Sequence, residues 1–251
     1  MKKVTLIHFS PTGGTRKAGL LLARGFGVEV EEVDLTRREG QNISFGPEDV
    51  VILAGPVYGG RMPGTMMERL SRLTGNDALA IPTAVYGNRA WEDGLVELAD
   101  GAKARGFRIL AGAALVAQHS IVPALAAGRP DQADEEELSG FAKAILAQLA
   151  NGGGTAEVPG DRPYREWKGM AAVPAAAKEK CTNCGLCVSR CPVGAIPAQR
   201  PDTTEERCIR CMRCVSLCPV HARALPAAVQ AGTEAHLEPF RTVRGANQLF
   251  L

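Results

Sequence analysis

The clearest chemical feature of the sequence is a group of eight cysteines. All lie between Cys181 and Cys218, in two runs that share one spacing, C-x2-C-x2-C-x3-C-P. The runs comprise Cys181, Cys184, Cys187 and Cys191, then Cys208, Cys211, Cys214 and Cys218. Thiolates at this spacing hold [4Fe-4S] clusters, and the fourth cysteine of each run ligates the cluster of the other run.

This crossed ligation predicts two sets of four ligands. We expect one cluster on Cys181, Cys184, Cys187 and Cys218, and the second on Cys208, Cys211, Cys214 and Cys191. Sharing ligands makes the two runs one folding unit. It also keeps the clusters close enough for electrons to pass between them.

Disulfides and zinc are the alternatives for these cysteines. Disulfides need an oxidising compartment, whereas the chain begins with a strand-like VTLIHF segment after only two lysines, which does not resemble a signal peptide. Zinc is usually bound by separated C-x2-C pairs, not by four cysteines crowded into eleven residues. The spacing favours iron–sulfur clusters over both.

The cysteine runs belong to a longer internal repeat. KCTNCGLCVSRCPVGAI, which ends at Ile196, aligns with RCIRCMRCVSLCPVHAR, which ends at Arg223, at an offset of 27 residues. Arginines 207, 210 and 213 of the second copy either compensate cluster charge locally or form a docking patch for an acidic partner.

Composition places the protein among soluble chains without an obvious nucleic-acid partner. Its 251 residues carry a net charge of only +2, which gives no reason to expect nucleic-acid binding. No apolar stretch is long enough to span a membrane. We expect a cytoplasmic protein, because thiols stay reduced there.

The first 150 residues alternate between buried strands and helices. This alternation predicts an α/β domain with a doubly wound, five-stranded parallel sheet. The expected strands are 4–9, 28–35, 50–54, 80–86 and 108–116. The expected helices are 15–24, 63–73, 91–105 and 133–150, with a stunted second helix between the second and third strands.

Three loops at the carboxyl ends of these strands could bind a ligand. Residues 10–15, SPTGGT, place hydroxyl groups and glycines at a strand-to-helix turn, which suits a phosphate. Residues 55–61, GPVYGGR, and 86–91, YGNRAW, combine glycines with aromatic residues that could stack on a flat ring. Tyr58 and Trp91 are the stacking candidates, although both could simply cap the hydrophobic sheet.

With these loops and the QHS element at 118–120, the first 150 residues resemble a flavodoxin. The whole chain is similar to fused flavodoxin and ferredoxin proteins of anaerobes, with sheet order 2-1-3-4-5 and a small ferredoxin-like α+β domain. The resemblance implies FMN, with its phosphate at Ser10, Thr12, Gly13, Gly14 and Thr15. It implies ring contacts from Pro56, Val57, Tyr58, Gly59, Gly87, Asn88 and Arg89. Gly14 departs from the asparagine common in flavodoxins.

His119 follows the fifth expected strand and could tune the flavin, or could be a hydrogen-bonded structural histidine. Arg89 could favour the anionic reduced flavin, or could be merely solvated.

The expected organisation is a flavodoxin-like domain at 1–150, a linker at 151–170, a ferredoxin domain at 171–225 and a tail at 226–251 that packs on the body. The expected function is electron transfer between FMN and two low-potential [4Fe-4S] clusters, and on to a redox protein partner. The alternatives are a flavoenzyme that reduces a small molecule with electrons from the clusters, and a redox sensor. No catalytic acid or base stands out in the sequence, which favours the carrier.

Overall fold

A mostly parallel β-sheet forms the core of the first 150 residues. The computed structural model describes residues 1–153, 155–167, 169 and 172–251. The strands of this part are β1 (Lys3–His8), β2 (Glu29–Asp34), β3 (Ile43–Ser44), β4 (Val50–Pro56), β5 (Leu73–Thr74), β6 (Leu79–Tyr86), β7 (Arg108–Ile109) and β8 (Gly112–Val116). The helices are α1 (Gly14–Arg24), α2 (Gly64–Arg69), α3 (Gly94–Ala104) and α4 (Gln132–Ala150).

The five long parallel strands follow the order β2-β1-β4-β6-β8. This is the 2-1-3-4-5 order predicted from the sequence, so the flavodoxin-like α/β class is confirmed. The order of the strands reverses at β1, which has β2 on one side and β4 on the other. The carboxyl ends of β1 and β4 lie side by side at this point, and ligands of open α/β sheets bind at such a point.

Side chains that alternate along the central strands form two hydrophobic layers. Val4 and Leu6 of β1 pack with α1 and α4 on one face of the sheet. Ile7, from the same strand, packs with α2 and α3 on the other. Burying each such aliphatic side chain is worth about 1.5–3 kcal/mol. The burial on both faces explains why the sequence reads as continuous apolar runs.

Three details differ from the expected elements. The last expected strand is interrupted at Leu110 and Ala111, which separate β7 from β8. Residues 35–49, all of which the structure describes, contain no helix between β2 and β4; they contain β3, which pairs with β5. The helix expected at 63–73 ends as a 3₁₀ turn, Leu70–Arg72.

The five-strand prediction also missed a sixth position in the sheet. The tail forms α7 (Ala227–Leu237), a 3₁₀ turn at Glu238–Phe240 and a strand (Gln248–Phe250) that pairs antiparallel with β8. This strand is β11, because the cysteine-rich segment contributes β9 (Ala175–Ala176) and β10 (Arg223–Ala224) before it. Gln248–Phe250 is too short to show strand periodicity, so the sequence gives little local indication of β11. The strand pairs with the open edge of β8.

A buried polar network fastens the tail to the sheet domain. Arg129 and Asp134 form a bidentate ion pair, with side chains that are 5% and 0% exposed. The Asn247 side chain donates to Asp134 at 2.9 Å and accepts from the Val116 N–H at 2.8 Å. Arg244 adds a further, more exposed contact with Asp134 at 3.3 Å. The network joins α4, β8 and the tail.

The cysteine-rich segment is a small pseudo-symmetric unit that packs against the sheet domain. It contains two short helices, α5 (Leu186–Arg190) and α6 (Arg213–Ser216), and the antiparallel pair of β9 and β10. The buried Arg69 side chain, from α2, donates to the Pro192 carbonyl at 2.5 Å. Arg213 donates to the Pro11 carbonyl at 2.9 Å. Both bonds cross between the two parts of the chain.

Within the described residues, none of the helices is long and apolar enough to cross a membrane.

Candidate redox sites

The eight cysteines surround two separate cavities, four around each. The outer set, as we name it, lines one cavity and consists of Cys181, Cys184, Cys187 and Cys218. The inner set lines the other and consists of Cys191, Cys208, Cys211 and Cys214. These are the two crossed sets expected from the spacing. In each cavity, three cysteines come from one run and the fourth from the other.

The two runs repeat their backbone conformation as well as their sequence. Positive φ angles recur at the same repeat positions: 54° and 53° at Asn183 and Arg210, and 73° and 59° at Gly185 and Met212. The N–H of Ala195 donates to the Cys191 sulfur at 3.3 Å, and its repeat equivalent, Ala222, donates to Cys218 at 3.2 Å. Such bonds to sulfur stabilise the thiolate form, which is the form that ligates iron.

The cysteines are arranged around a volume and do not converge on a point. Among residues 1–153, 155–167, 169 and 172–251, no three His, Cys, Asp or Glu side chains lie close enough to hold a single metal ion. Burial raises the pKa of the Cys211 thiol to about 12. The Nε atoms of Arg213 and Arg223 are buried without an acceptor. Cavities that offer four thiols each, next to buried cationic side chains, fit an iron–sulfur cluster.

The two sets differ in their access to solvent. In the outer set Cys184 is exposed and the other three are partly exposed. In the inner set Cys191, Cys208 and Cys211 are buried. One cavity is therefore near the surface, and the other lies against the sheet domain.

A third cavity, of about 220 Å³, opens at the carboxyl ends of the central strands, and we name it the sheet cavity. Nine of the expected ligand residues line it: Thr12, Gly14, Thr15, Pro56, Val57, Tyr58, Gly59, Gly87 and His119. They come from the last residue of β4, the first turn of α1, and the loops after β1, β4, β6 and β8. The topology therefore gathers at one place residues that are far apart in the sequence.

The loop after β1 has the geometry expected of an anion site. Gly13 precedes α1 with a φ of 93°, so its backbone favours glycine. The Ser10 hydroxyl accepts a hydrogen bond from the Arg16 N–H at 2.9 Å, and the Ser10 N–H donates to the Thr36 hydroxyl at 2.7 Å. These bonds hold the loop so that the amino end of α1 faces the cavity. Neither Ser10 nor Gly13 lines the cavity itself.

Three other expected ligands also lie outside the cavity lining. The Asn88 amide donates to the carbonyls of Phe240 and Val243 in the tail, at 2.9 and 2.8 Å. Arg89 forms a bidentate ion pair with Glu92. Trp91 packs edge-on against Tyr86, with ring centroids 5.3 Å apart. These side chains hold the tail and the loop, and Trp91 caps the hydrophobic layer of the sheet.

His119 lines the cavity as a neutral imidazole. Its Nδ1 accepts from the N–H groups of Val122 and Ile121, at 3.0 and 3.2 Å. Burial, followed by the charge of Arg89, lowers the pKa of His119 to about 4. The proton is therefore on Nε2 at neutral pH, which leaves that nitrogen as a hydrogen-bond donor.

Several lining residues were missed by the sequence analysis. Some neighbour expected ligands: Pro11, Val85, Tyr86, Ala117, Gln118, Ser120 and Ile121. Trp167 and Gly169 come from the segment expected to be a linker, and Ile209 and Arg210 from the second cysteine run. Gln118 and Ser120 belong to the recognised QHS element and could have been named. Nothing local to Trp167, Ile209 or Arg210 indicates a ligand site, because their role depends on how the two parts of the chain pack.

The segment that carries Trp167 is held firmly on α3 and the loop before it. Arg162 forms a bidentate ion pair with Asp100, and the Tyr164 hydroxyl donates to the same carboxylate at 2.5 Å. The Arg165 N–H donates to Asp93 at 2.7 Å. These contacts seat Trp167 against the cavity.

The wall between this cavity and the inner cysteine set is thin. Ile209 lines both cavities. Tyr58 lines the sheet cavity, and burial, followed by the charge of Cys211, raises the pKa of its hydroxyl. Arg210 lines the same cavity while its guanidinium donates to the Cys208 carbonyl at 2.8 Å. No outer-set cysteine takes part in this wall.

Comparisons with known proteins identify the cysteine-rich segment. Residues 180–222 match the family model of the 4Fe-4S dicluster domain. This match supports an iron–sulfur module in the cysteine-rich segment. No curated protein matches the chain.

Three of the solved structures similar to the chain are named as flavodoxins or as an FMN oxidoreductase. A flavodoxin from the domain Archaea is 11% identical, covers 59% of this chain and 99% of its own, and has a TM-score of 0.42. A Streptococcus pneumoniae flavodoxin is 19% identical over 58% of this chain and 98% of its own, with a TM-score of 0.39. An apo NADH:FMN oxidoreductase is 16% identical over 59% and 90%, with a TM-score of 0.42.

The strand order, and not these similarities, defines the class of the sheet domain. The chain combines a flavodoxin-like α/β domain with an iron–sulfur module of the 4Fe-4S dicluster type. It is a fusion of flavodoxin-like and ferredoxin-like parts.

Proposed function

We propose that the protein is an electron carrier that binds FMN in the sheet cavity and two [4Fe-4S] clusters on the outer and inner cysteine sets. The observation that carries the proposal is Ile209, which lines both the sheet cavity and the inner cysteine cavity. A residue common to both linings places the two cavities side by side, which suits electron transfer because tunnelling falls steeply with distance. When bound, FMN would exchange one or two electrons, and each cluster would exchange one electron.

The order of the sites supports a linear path. The outer set is the more exposed and is the natural point of contact for a one-electron redox protein. The inner set lies between the outer set and the sheet cavity, with Tyr58, Ile209 and Arg210 at the boundary. Electrons can follow this path in either direction.

The surroundings of the sheet cavity support a carrier more than a flavoenzyme. Trp167, Ile209 and Arg210 cover part of the cavity from outside the sheet domain. His119, neutral and held by backbone N–H groups, supplies a fixed donor to the flavin ring and is not an acid poised near neutral pH.

The proposal includes domain boundaries near residues 150, 170 and 225, and an anaerobic, cytoplasmic setting that keeps the thiols reduced. The hydrogen bonds of Arg69 and Arg213 between the parts support a docked arrangement. A docked arrangement holds the cavities at a fixed separation.

Cofactor analysis of the anaerobically purified full chain tests the proposal. We expect about eight iron, eight acid-labile sulfide and one FMN per chain. Iron and sulfide at this level without flavin would contradict the flavin site. About four iron per chain would contradict the assignment of two clusters.

Replacing Gly87 by alanine tests the position of the flavin. An alanine Cβ at this position would lie 2.4 Å from Cδ2 of His119, so the imidazole, which lines the cavity, must shift. We expect the flavin Kd, measured by fluorescence titration of the apoprotein, to rise about tenfold or more, because overpacking of this kind costs ~1–3 kcal/mol.

Gly64→Ala is the matched control for this substitution. No atom lies within 4 Å of a Cβ at Gly64, and the residue begins α2. The control should leave the flavin Kd unchanged. Equal affinity in both variants would place the flavin away from Gly87 and His119.

A further inference from the structure

Arg223 breaks the internal repeat of the iron–sulfur module. It occupies the position that Ile196 holds in the first copy, 27 residues earlier. Ile196 is 3% exposed and packs with Cys191 and Cys208. Arg223 is equally buried, at 3% exposed. The second copy therefore places a guanidinium where the first has a hydrocarbon side chain.

The guanidinium of Arg223 lies between the two cysteine cavities. Its Nη1 donates to the carbonyl of Pro201, which lines the outer cavity. Its Nη2 donates to the Pro174 carbonyl at 2.8 Å and to the Thr204 hydroxyl, and both of these residues line the inner cavity. One side chain therefore holds the walls of both sites.

The same side chain approaches both cysteine sets. Nη1 is 4.0 Å from the Cys187 sulfur of the outer set. On the inner side, its hydrogen bonds to Pro174 and Thr204 place the guanidinium at the wall of the cavity that Cys208 and Cys214 line.

The charge of Arg223 has no carboxylate partner in the described part of the chain. Every hydrogen bond of its Nη atoms goes to a carbonyl, a hydroxyl or a sulfur, and its Nε is buried without an acceptor. A buried cation needs a compensating negative charge nearby. The thiolates and sulfides of two clusters would supply that charge on both sides.

We propose that Arg223 is a positioning residue whose buried charge raises the reduction potentials of both clusters and weakens the repulsion between them when both are reduced. The inference rests on the proposed two-cluster function. Each reduction adds one negative charge to a cluster, and a cation between the two sites stabilises both reduced forms. Lower repulsion brings the two reductions closer in potential, so that the module can hold two electrons for a two-electron flavin.

The test compares Arg223→Gln and Arg223→Lys with the wild-type protein. Iron and sulfide content is measured first, followed by a redox titration of the full chain monitored by electron paramagnetic resonance. In Arg223→Gln, we expect the ratio of reduced to oxidised cluster to fall about tenfold at a fixed potential for both clusters. That is the order expected from one charge roughly 10 Å away at an effective dielectric constant of about 20. The second reduction should also separate further from the first.

Arg223→Lys keeps the charge and should retain potentials near those of the wild type. Arg207→Gln is the charge-matched control, because Arg207 lies in the same run with a side chain that is 61% exposed and paired with Glu205. This substitution should leave the reduction potentials of both clusters unchanged. Arg223→Ile, which restores the residue type of the first copy, should behave like Arg223→Gln.

Unchanged potentials in Arg223→Gln, or a shift of one cluster alone, would overturn the inference. If neither Arg223→Gln nor Arg223→Ile retains its iron, Arg223→Lys becomes the deciding variant. Cluster potentials in Arg223→Lys that shift as expected for a neutral residue would rule out a role for the charge. A wild-type protein with only four iron would instead refute the proposed function. The iron content of the wild type therefore separates the two failures.

Discussion

Replacing Cys191 by alanine is expected to remove the cluster of the inner set, although Cys191 belongs to the first cysteine run. Its sulfur lines the inner cavity with Cys208, Cys211 and Cys214. Iron should fall from about eight to about four per chain. Reduction of the flavin by electrons supplied through the module should then become slower by orders of magnitude, because the inner set is the one next to the sheet cavity. Iron analysis and stopped-flow flavin absorbance measure both effects.

Cys218→Ala is the matched control, since Cys218 is the fourth cysteine of the second run and lines the outer cavity. This variant should also hold about four iron, but its remaining cluster is the inner one. Electron exchange between that cluster and the flavin should survive, while exchange with an external protein donor should slow. The opposite pattern, with flavin reduction lost only in Cys218→Ala, would show that each run holds its own cluster.

Replacing Asp134 by alanine is expected to cause a large loss of stability, about 3–5 kcal/mol in the free energy of unfolding. The carboxylate is fully buried and compensates Arg129, whose side chain is only 5% exposed. Its removal leaves a buried guanidinium without a negative partner, and Asn247 loses an acceptor. Denaturant unfolding of the anaerobic full chain, followed by circular dichroism, measures the effect.

Asp131→Ala provides the control for this prediction. Asp131 is the N-cap of α4, its side chain is 42% exposed, and its ion pair with Arg244 is at the surface. Loss of such a cap costs about 1 kcal/mol. If the two alanine substitutions lowered the free energy of unfolding by the same amount, the burial of the Asp134 ion pair would not be the source of the effect.

The same ion pair predicts that the free energy of unfolding depends on pH in the acid range. Burial would raise the pKa of Asp134, but the hydrogen bonds from Arg129, Asp131 and Asn247 outweigh it and lower the pKa below 3.8. A carboxyl group with a depressed pKa in the folded state contributes fully above its unfolded pKa, and the contribution is lost as the pH falls through the folded value. Asp134→Asn should therefore unfold with a shallower dependence on pH below about 4.

The sequence was sufficient for elements whose signal is local. Fully buried strands such as β1 and β4 form continuous apolar runs, and the glycines and hydroxyl groups after β1 mark the turn into α1. The cysteine spacing was informative because crossed ligation is a property of the motif itself. These features led to the α/β class and to both sets of cysteines that the structure brings together, whereas the strand order followed from the resemblance to flavodoxins.

The remaining features depend on contacts between distant segments. Asn88 lies in the loop where a ring contact was expected, yet its side chain holds the tail more than 150 residues later. Trp167 and Ile209 reach the sheet cavity only because the linker and the module pack against it. No periodicity or spacing encodes such packing, because it arises from complementary surfaces and not from local preference.

The antiparallel strand β11 has a consequence for how the protein is made. A sheet that ended at β8 would present a row of free N–H and C=O groups, and neighbouring chains can add strands to such an edge. Since β11 follows the cysteine-rich segment, this edge stays open during translation until the whole iron–sulfur module has left the ribosome. A fragment that stops after α4 keeps the edge permanently uncovered and is prone to self-association. The iron–sulfur module is thus, in topological terms, an insertion within the sheet domain, with the chain returning through β11 to close the edge.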